Sequence, residues 1–218
     1  MVFQRRYAGG LAFNTHYTLA EGQTLALMPW DNTQLEWGNT NTYDIRHKWV
    51  GTLSYELPWG EDLEGLSHGF LSGWQTNVVA FWQTGMAYSV TNSAQRTNVG
   101  GSDRPNLIGD PELPRDERTV QRYFNTAAFE LQPQLTAGNA PVGLLHGPSQ
   151  HRFDFSIFKT FDMARDSRLQ VRIEVYNVAN NANFQPPDGT FGGSTFGSIS
   201  STGNSIPRQM QFGIKYLF

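Results

Sequence analysis

Arg208-Gln-Met-Gln-Phe-Gly-Ile-Lys-Tyr-Leu-Phe218 decides how this chain is read. Met210, Phe212, Ile214, Tyr216 and Phe218 occupy every second position, with Gln209, Gln211, Gly213 and Lys215 between them. A β-strand points successive side chains to opposite faces, so this segment has one wholly apolar face and one mainly polar face. A soluble protein gains little from an exposed aromatic at the end of such a strand.

Working outward, the same alternation marks five further strands. His151–Phe161 sets Phe153, Phe155, Ile157 and Phe161 against Arg152, Asp154, Ser156 and Thr160. Ser167–Ala179 sets Leu169, Val171, Ile173 and Val175 against Arg168, Gln170, Arg172, Glu174 and Tyr176. The turn Asp162–Asp166 joins these two into a hairpin. Tyr7–Leu19, Asp44–Pro58 and Gly73–Thr91 complete the set, the last being the least regular because Val79 and Phe81 share its polar parity. Proline ends the strand at Pro58, since it cannot donate to a ladder. Residues 20–43, 92–148 and 180–206 read as long loops, and 92–148 holds six of the eleven prolines. The connections therefore run long, short, long, short, long.

Bulk properties narrow the class. A net charge of −3 offers no basic excess for nucleic acid. The absence of cysteine excludes a disulfide framework and thiolate metal sites. Mean hydropathy is −0.45, and no apolar run approaches the roughly 18 residues of a spanning helix. A barrel needs none, because only alternate residues meet lipid. The expected fold is all-β: an antiparallel up-and-down transmembrane β-barrel, present as an incomplete C-terminal segment of about six strands with long extracellular loops, in the bacterial outer membrane. Met1–Tyr7 lacks the apolar core of a signal peptide, which suggests that an N-terminal part precedes it.

This topology places Trp59, Trp74, Phe161, Tyr216 and Phe218 at the periplasmic ends of the strands, and Tyr17, Tyr43, Tyr88 and Phe153 near the extracellular ends. Amphipathic rings settle at membrane–water interfaces in such girdles. It also gives a lumen-facing polar patch of Arg152, Asp154, Ser156, Arg168, Gln170, Arg172 and Glu174, with opposite charges interleaved across the hairpin.

Five segments carry a resemblance. Asp103-Arg-Pro-Asn-Leu-Ile-Gly-Asp-Pro111, Arg122-Tyr-Phe-Asn-Thr-Ala-Ala-Phe129, Phe153–Phe161, Val171–Val178 with Asn183-Phe184, and Arg208–Phe218 are similar to the barrel of TonB-dependent outer-membrane receptors. The nearest branch is the Oar-like one, whose members carry an N-terminal carboxypeptidase-regulatory-like domain. The resemblance implies a barrel of on the order of 22 strands around a plug domain. It further implies ligand capture by extracellular loops, uptake energised by the TonB complex, and an assembly signal at Phe212, Ile214, Tyr216 and Phe218 read by the barrel-assembly machinery. Plug, TonB-binding segment and regulatory domain do not occur in these residues.

A search for chemistry leaves little. The five histidines form no HExxH pair, and neither a GxSxG elbow nor a phosphate-binding glycine loop occurs. Ser149, His151 and Ser156 invite comparison with outer-membrane phospholipases, but Ser156 and His151 point to opposite faces. No enzyme activity and no cofactor are expected. Asp103, Asp110, Glu112, Asp116 and Glu117 lack the spacing of a Ca²⁺ loop and read as solvated charge. Two functions compete: an energised importer, or a surface-binding and adhesion barrel without transport. The expected partners are outer-membrane lipid and an extracellular glycan, peptide or metal chelate.

Overall fold

The computed structural model of the chain describes residues 1–28, 31–39, 44–164, 166–203 and 205–218. Seven strands form one antiparallel sheet: β1 (Val2–Ala8), β2 (Leu11–Leu19), β3 (His47–Leu57), β4 (Trp74–Gln83), β5 (Gln150–Asp162), β6 (Arg168–Tyr176) and β7 (Gln209–Leu217). Their order in the sheet is their order in the chain, so the sheet is a meander. The hairpin of β5 and β6 has the expected register, with Ser156 opposite Glu174 and Ile157 opposite Ile173. Arg165, in the turn between them, lies outside the described residues.

The expected single strand Tyr7–Leu19 is wrong. Gly9 and Gly10 both have positive φ, +60° and +74°, and turn the chain between β1 and β2. A two-residue hairpin with φ above zero at both positions suits glycine, which carries no Cβ penalty there. Alternation alone let Gly9 pass for a strand residue. The wall thus has seven strands instead of six, and its first edge is β1.

The third expected strand also ends early, at Gln83 and not Thr91. There the Thr84 N–H donates to the His47 carbonyl, and the His47 N–H donates to Thr84 Oγ1 at 3.1 Å. A Cβ on Gly85 would lie 1.8 Å from the Gly147 carbonyl oxygen, so two backbones meet here as only glycine allows. Tyr88 and Val90, expected on the strand, are instead buried above it.

All three long connections leave the same end of the sheet and are more ordered than loops. The first holds a hairpin of Gln23–Met28 with Asp31–Asn39. Short ladders tie the second to itself, Asn106–Leu107 with Phe129–Glu130 and Ala87–Tyr88 with Leu145–His146. The third joins the second through a parallel bridge of Thr190–Phe191 with Thr91–Asn92. The second supplies a dry core of Val90, Phe124, Ala128, Phe129, Ala140 and Leu145, the third packs Phe191 and Phe196 against it, and the first is bonded on at Asn39 and Val142, so the three make one cap. At the opposite end lie the Gly9–Gly10 turn, the β5–β6 turn and a connection containing α1 (Gly65–Leu71).

The sheet does not close: β1 and β7 each have one neighbour. In lipid an unpaired backbone group costs several kcal/mol because no water replaces the partner. Residues 1–218 refolded alone in detergent should therefore aggregate, associate through these edges or stay unfolded. A monomeric, protease-resistant species whose gel mobility shifts on boiling would overturn this.

Candidate functional site

Two neighbouring rows of side chains across the sheet define its faces. Ala12, Ser54, Asn77, Ser156, Glu174 and Gln211 stand in register along one row. One residue further along each strand, Phe13, Leu53, Val78, Phe155, Val175 and Met210 form the next. Because the side-chain period is two, these rows point to opposite sides, one polar and one apolar. The apolar side remains open: Phe212 is 71% and Ile214 77% exposed.

The polar patch lies on one face, as its parity requires, but its charges do not pair as expected. Arg152 Nε donates to Asp154 Oδ1 at 2.8 Å, and Arg172 Nη2 reaches Glu174 Oε1 at 3.2 Å. Both pairs run along a strand, between residues two apart, and not across the hairpin. The cross-strand contacts are cation–π instead, Arg152 over Tyr176 and Arg172 over Phe158, at 5.9 and 5.7 Å. Gln170 donates to Thr160 at 3.3 Å, and Tyr176 to Glu174 at 3.2 Å. Gly213 stands opposite Arg172, where a Cβ would meet the arginine Cγ at 3.0 Å. A small residue there leaves the guanidinium its place.

Above this wall, the cap is held by buried ionic contacts. Arg104, only 6% exposed, forms a two-pronged pair with Glu36 at 2.7 and 2.5 Å and donates to the Ala140 carbonyl at 2.7 Å. The first long connection is thereby fastened to the second. Asp44, fully buried, accepts from the Gly22 N–H at 3.1 Å and meets His146 Nε2 at 3.0 Å.

Asp103, read from sequence as solvated, is buried and accepts from the Thr97 hydroxyl at 2.5 Å and from the Arg96 and Thr97 amides. Burial pushes its carboxyl up. The Thr97 hydroxyl and the two amides outweigh that, so it titrates below the ordinary carboxylate range. Asp188 behaves alike: burial raises it, and bonds from Thr195 and Thr190 bring it lower still. No group of three or more metal-ligating side chains occurs among the described residues.

Between cap and wall lies a cleft of about 730 Å³ lined by Arg46, His47, Trp82, Arg115, Arg118, Tyr123 and His146. His47 and Trp82 in its lining stack at 6.4 Å, and Tyr17 stacks on His47 at 6.1 Å. Arg118 lies over Tyr123 at 5.4 Å. Three guanidiniums and two imidazoles line the space and, among the described residues, no carboxylate does; Glu21, Glu112 and Asp44 pair with Arg46, Arg118 and His146. Its size is that of a small-ligand pocket.

Several residues fall elsewhere than the sequence placed them. Tyr88 belongs to the cap core and not to an aromatic girdle, and Tyr43 lies outside the described residues. Trp74, Phe161 and Tyr216 do share the turn-bearing end, while Tyr17 is at the other. Ser156 and His151 are on opposite faces of β5, and Ser149 is at the cleft. Lys159 escaped notice: it stands in the apolar row of β5, 3% exposed, with its ammonium bonded to the Ser72 carbonyl. Its parity was legible, but its partner was not.

The family described as Outer membrane beta barrel domain matches residues 1–211. No match is found among the curated proteins or the solved structures.

Arginine placed at Ile173, mid-strand on the apolar face, should cost about 2–4 kcal/mol in a bilayer, and arginine at Gln170 far less. Folding of the protein into vesicles measures both, and equal costs would contradict the assignment of faces. The cap should also loosen in acid. Asp103 and Asp188 have depressed folded pKa values, so their stabilisation is complete above the unfolded value of about 3.9 and is lost as pH falls through the folded one. Hydrogen exchange corrected for intrinsic rates should show cap protection falling between about pH 5 and pH 2. Asp103→Asn with Asp188→Asn should lower protection at neutral pH and flatten that dependence.

Proposed function

The chain belongs to the outer membrane beta barrel domain family and is a protein of the bacterial outer membrane, and we propose that it is the receptor wall of an energised importer. The observation that carries this reading is the cap. The second connection builds a dry core, the third packs Phe191 and Phe196 against it, and the first is fastened on by Glu36 and Asp44, while a cleft lies between the first two and the wall. Free loops would lose conformational entropy on gripping a ligand, and a prefolded cap has already met that cost. The lining selects an anionic ligand with a flat or ring-bearing part. Guanidinium groups match carboxylate or phosphate in a two-pronged geometry, and Trp82 and Tyr123 offer faces for stacking.

Transport itself rests on the likeness to TonB-dependent receptors. In that reading the polar row of Arg152, Asp154, Ser156, Arg172 and Glu174 faces a plug or water within the lumen. The apolar row meets lipid, and Phe212, Ile214, Tyr216 and Phe218 present the outward edge that the assembly machinery reads. The adhesion reading uses the same cap without the energising complex.

Photo-crosslinking in cells, between the protein in its native outer membrane and TonB, separates the two. The importer reading expects a covalent adduct that ligand-rich medium strengthens. A protein that resides in the outer membrane with a protected cap, yet never yields the adduct, is an adhesion barrel.

A further inference from the structure

The connection between β3 and β4 carries apolar surface that neither the wall nor the cap uses. Leu66 is 84% exposed, Phe70 65%, Leu71 51% and Leu63 41%, with Trp59 beside them at 53%. Leu66 and Phe70 lie one turn apart in α1 and so share a face. Glu61, Asp62 and Glu64 precede the helix and are exposed as well. No residue of α1 is buried.

What holds α1 in place fixes where that face lies. Phe70 packs edge-on against Phe161, ring centroids 6.1 Å apart. Trp74 Nε1 donates to the Phe70 carbonyl at 3.0 Å. Lys159 donates to the carbonyl of Ser72, the residue that ends the helix. Phe161, Trp74 and Lys159 all belong to the apolar, lipid-facing parity of β4 and β5. The helix is therefore pinned to the outside of the wall at its turn-bearing, periplasmic end, and its open side chains continue the surface that meets lipid.

We propose that α1 with Trp59 and Leu63 is an interfacial anchor that lies in the periplasmic leaflet of the outer membrane. Its occupant is the boundary between phospholipid headgroups and acyl chains. An amphipathic helix buries its apolar face about 5–10 Å into that boundary and leaves its charges in the headgroups. Lys159 serves the same arrangement: a lysine on a lipid-facing strand is tolerated when its stem follows the strand to the interface and its ammonium finds an acceptor there. The Ser72 carbonyl is that acceptor, so the lysine both escapes the hydrocarbon and locks the anchor to the wall.

The chain has no cysteine, which makes single labels practical. The protein, assembled in outer membranes and transferred to phosphatidylethanolamine and phosphatidylcholine vesicles, would carry an environment-sensitive fluorophore on Leu66→Cys, Phe70→Cys or Glu64→Cys. Nitroxide lipids spin-labelled high on the acyl chain should quench positions 66 and 70 about threefold or more over position 64, and iodide in the water should reverse the order. Equal iodide access at all three positions would overturn the anchor. Protection from both quenchers in native membranes, lost on transfer to vesicles, would also overturn it by showing a periplasmic protein on this face. Heat-modifiable mobility of each labelled variant checks that it has assembled.

Discussion

The wall of this molecule follows from the scarcity of partners for backbone N–H and C=O groups inside a bilayer. A strand there must spend its hydrogen bonds on neighbouring strands, because no water can take them. The result is a meander in which each connection joins spatial neighbours and β5, for example, is paired along ten positions with β4. The same constraint explains the two faces. Once the ladder holds the backbone, side chains are free to specialise, and the row from Phe13 to Met210 meets lipid while the row from Ala12 to Gln211 meets polar surroundings. Lys159 is the exception that tests the rule, and it survives only where the strand ends and a carbonyl waits.

The cap obeys the opposite regime. Water competes for every polar group there, so order has to come from apolar burial, as in a soluble domain. Phe124 makes edge-on contacts with Phe129 and Phe196 at 5.8 and 5.2 Å, and Phe191 adds a fourth ring against Phe196 at 5.3 Å. Around this cluster the two-pronged Arg104–Glu36 pair and the locked Asp103 are almost dry, and a pair so buried becomes expensive if either partner is lost. These contacts bring together segments far apart in the chain, which is what a binding face built from loops needs.

The wall was legible because its signal is local. Alternation in Arg168–Tyr176 or Gln209–Leu217 can be read from nine residues, and register follows from which face is apolar. The errors came where local signals conflict. Gly9-Gly10 fits a strand's parity but belongs to a turn, and Met86, Tyr88 and Val90 continue the parity of β4 after the chain has left the sheet. The cap was illegible for a different reason. Its bonds join Glu36 to Arg104 and Asp44 to His146, across separations that no window of sequence spans. Even the Arg122–Phe129 segment, conspicuous in the resemblance, gave no hint that Phe124, Ala128 and Phe129 are packing residues and not ligand contacts.

The two regimes meet at a single junction. At His47 and Thr84 the ladder ends in a pair of mutual bonds, the chain passes through Gly85 against Gly147, and the strand rings His47 and Trp82 line the cleft. The backbone beneath these rings is fixed by the ladder, because shifting a strand means breaking its bonds to both neighbours. Opposite them, Arg115 and Arg118 sit on a short 3₁₀ turn and its flank, and Arg118 Nε donates to the Leu113 carbonyl at 2.8 Å. The cleft thus joins rings built on the ladder to guanidinium groups built on the cap. His47 and Trp82 share the parity of Leu53 and Val78, so the cleft continues the apolar face of the wall, and the two regimes meet on the outer side of the sheet.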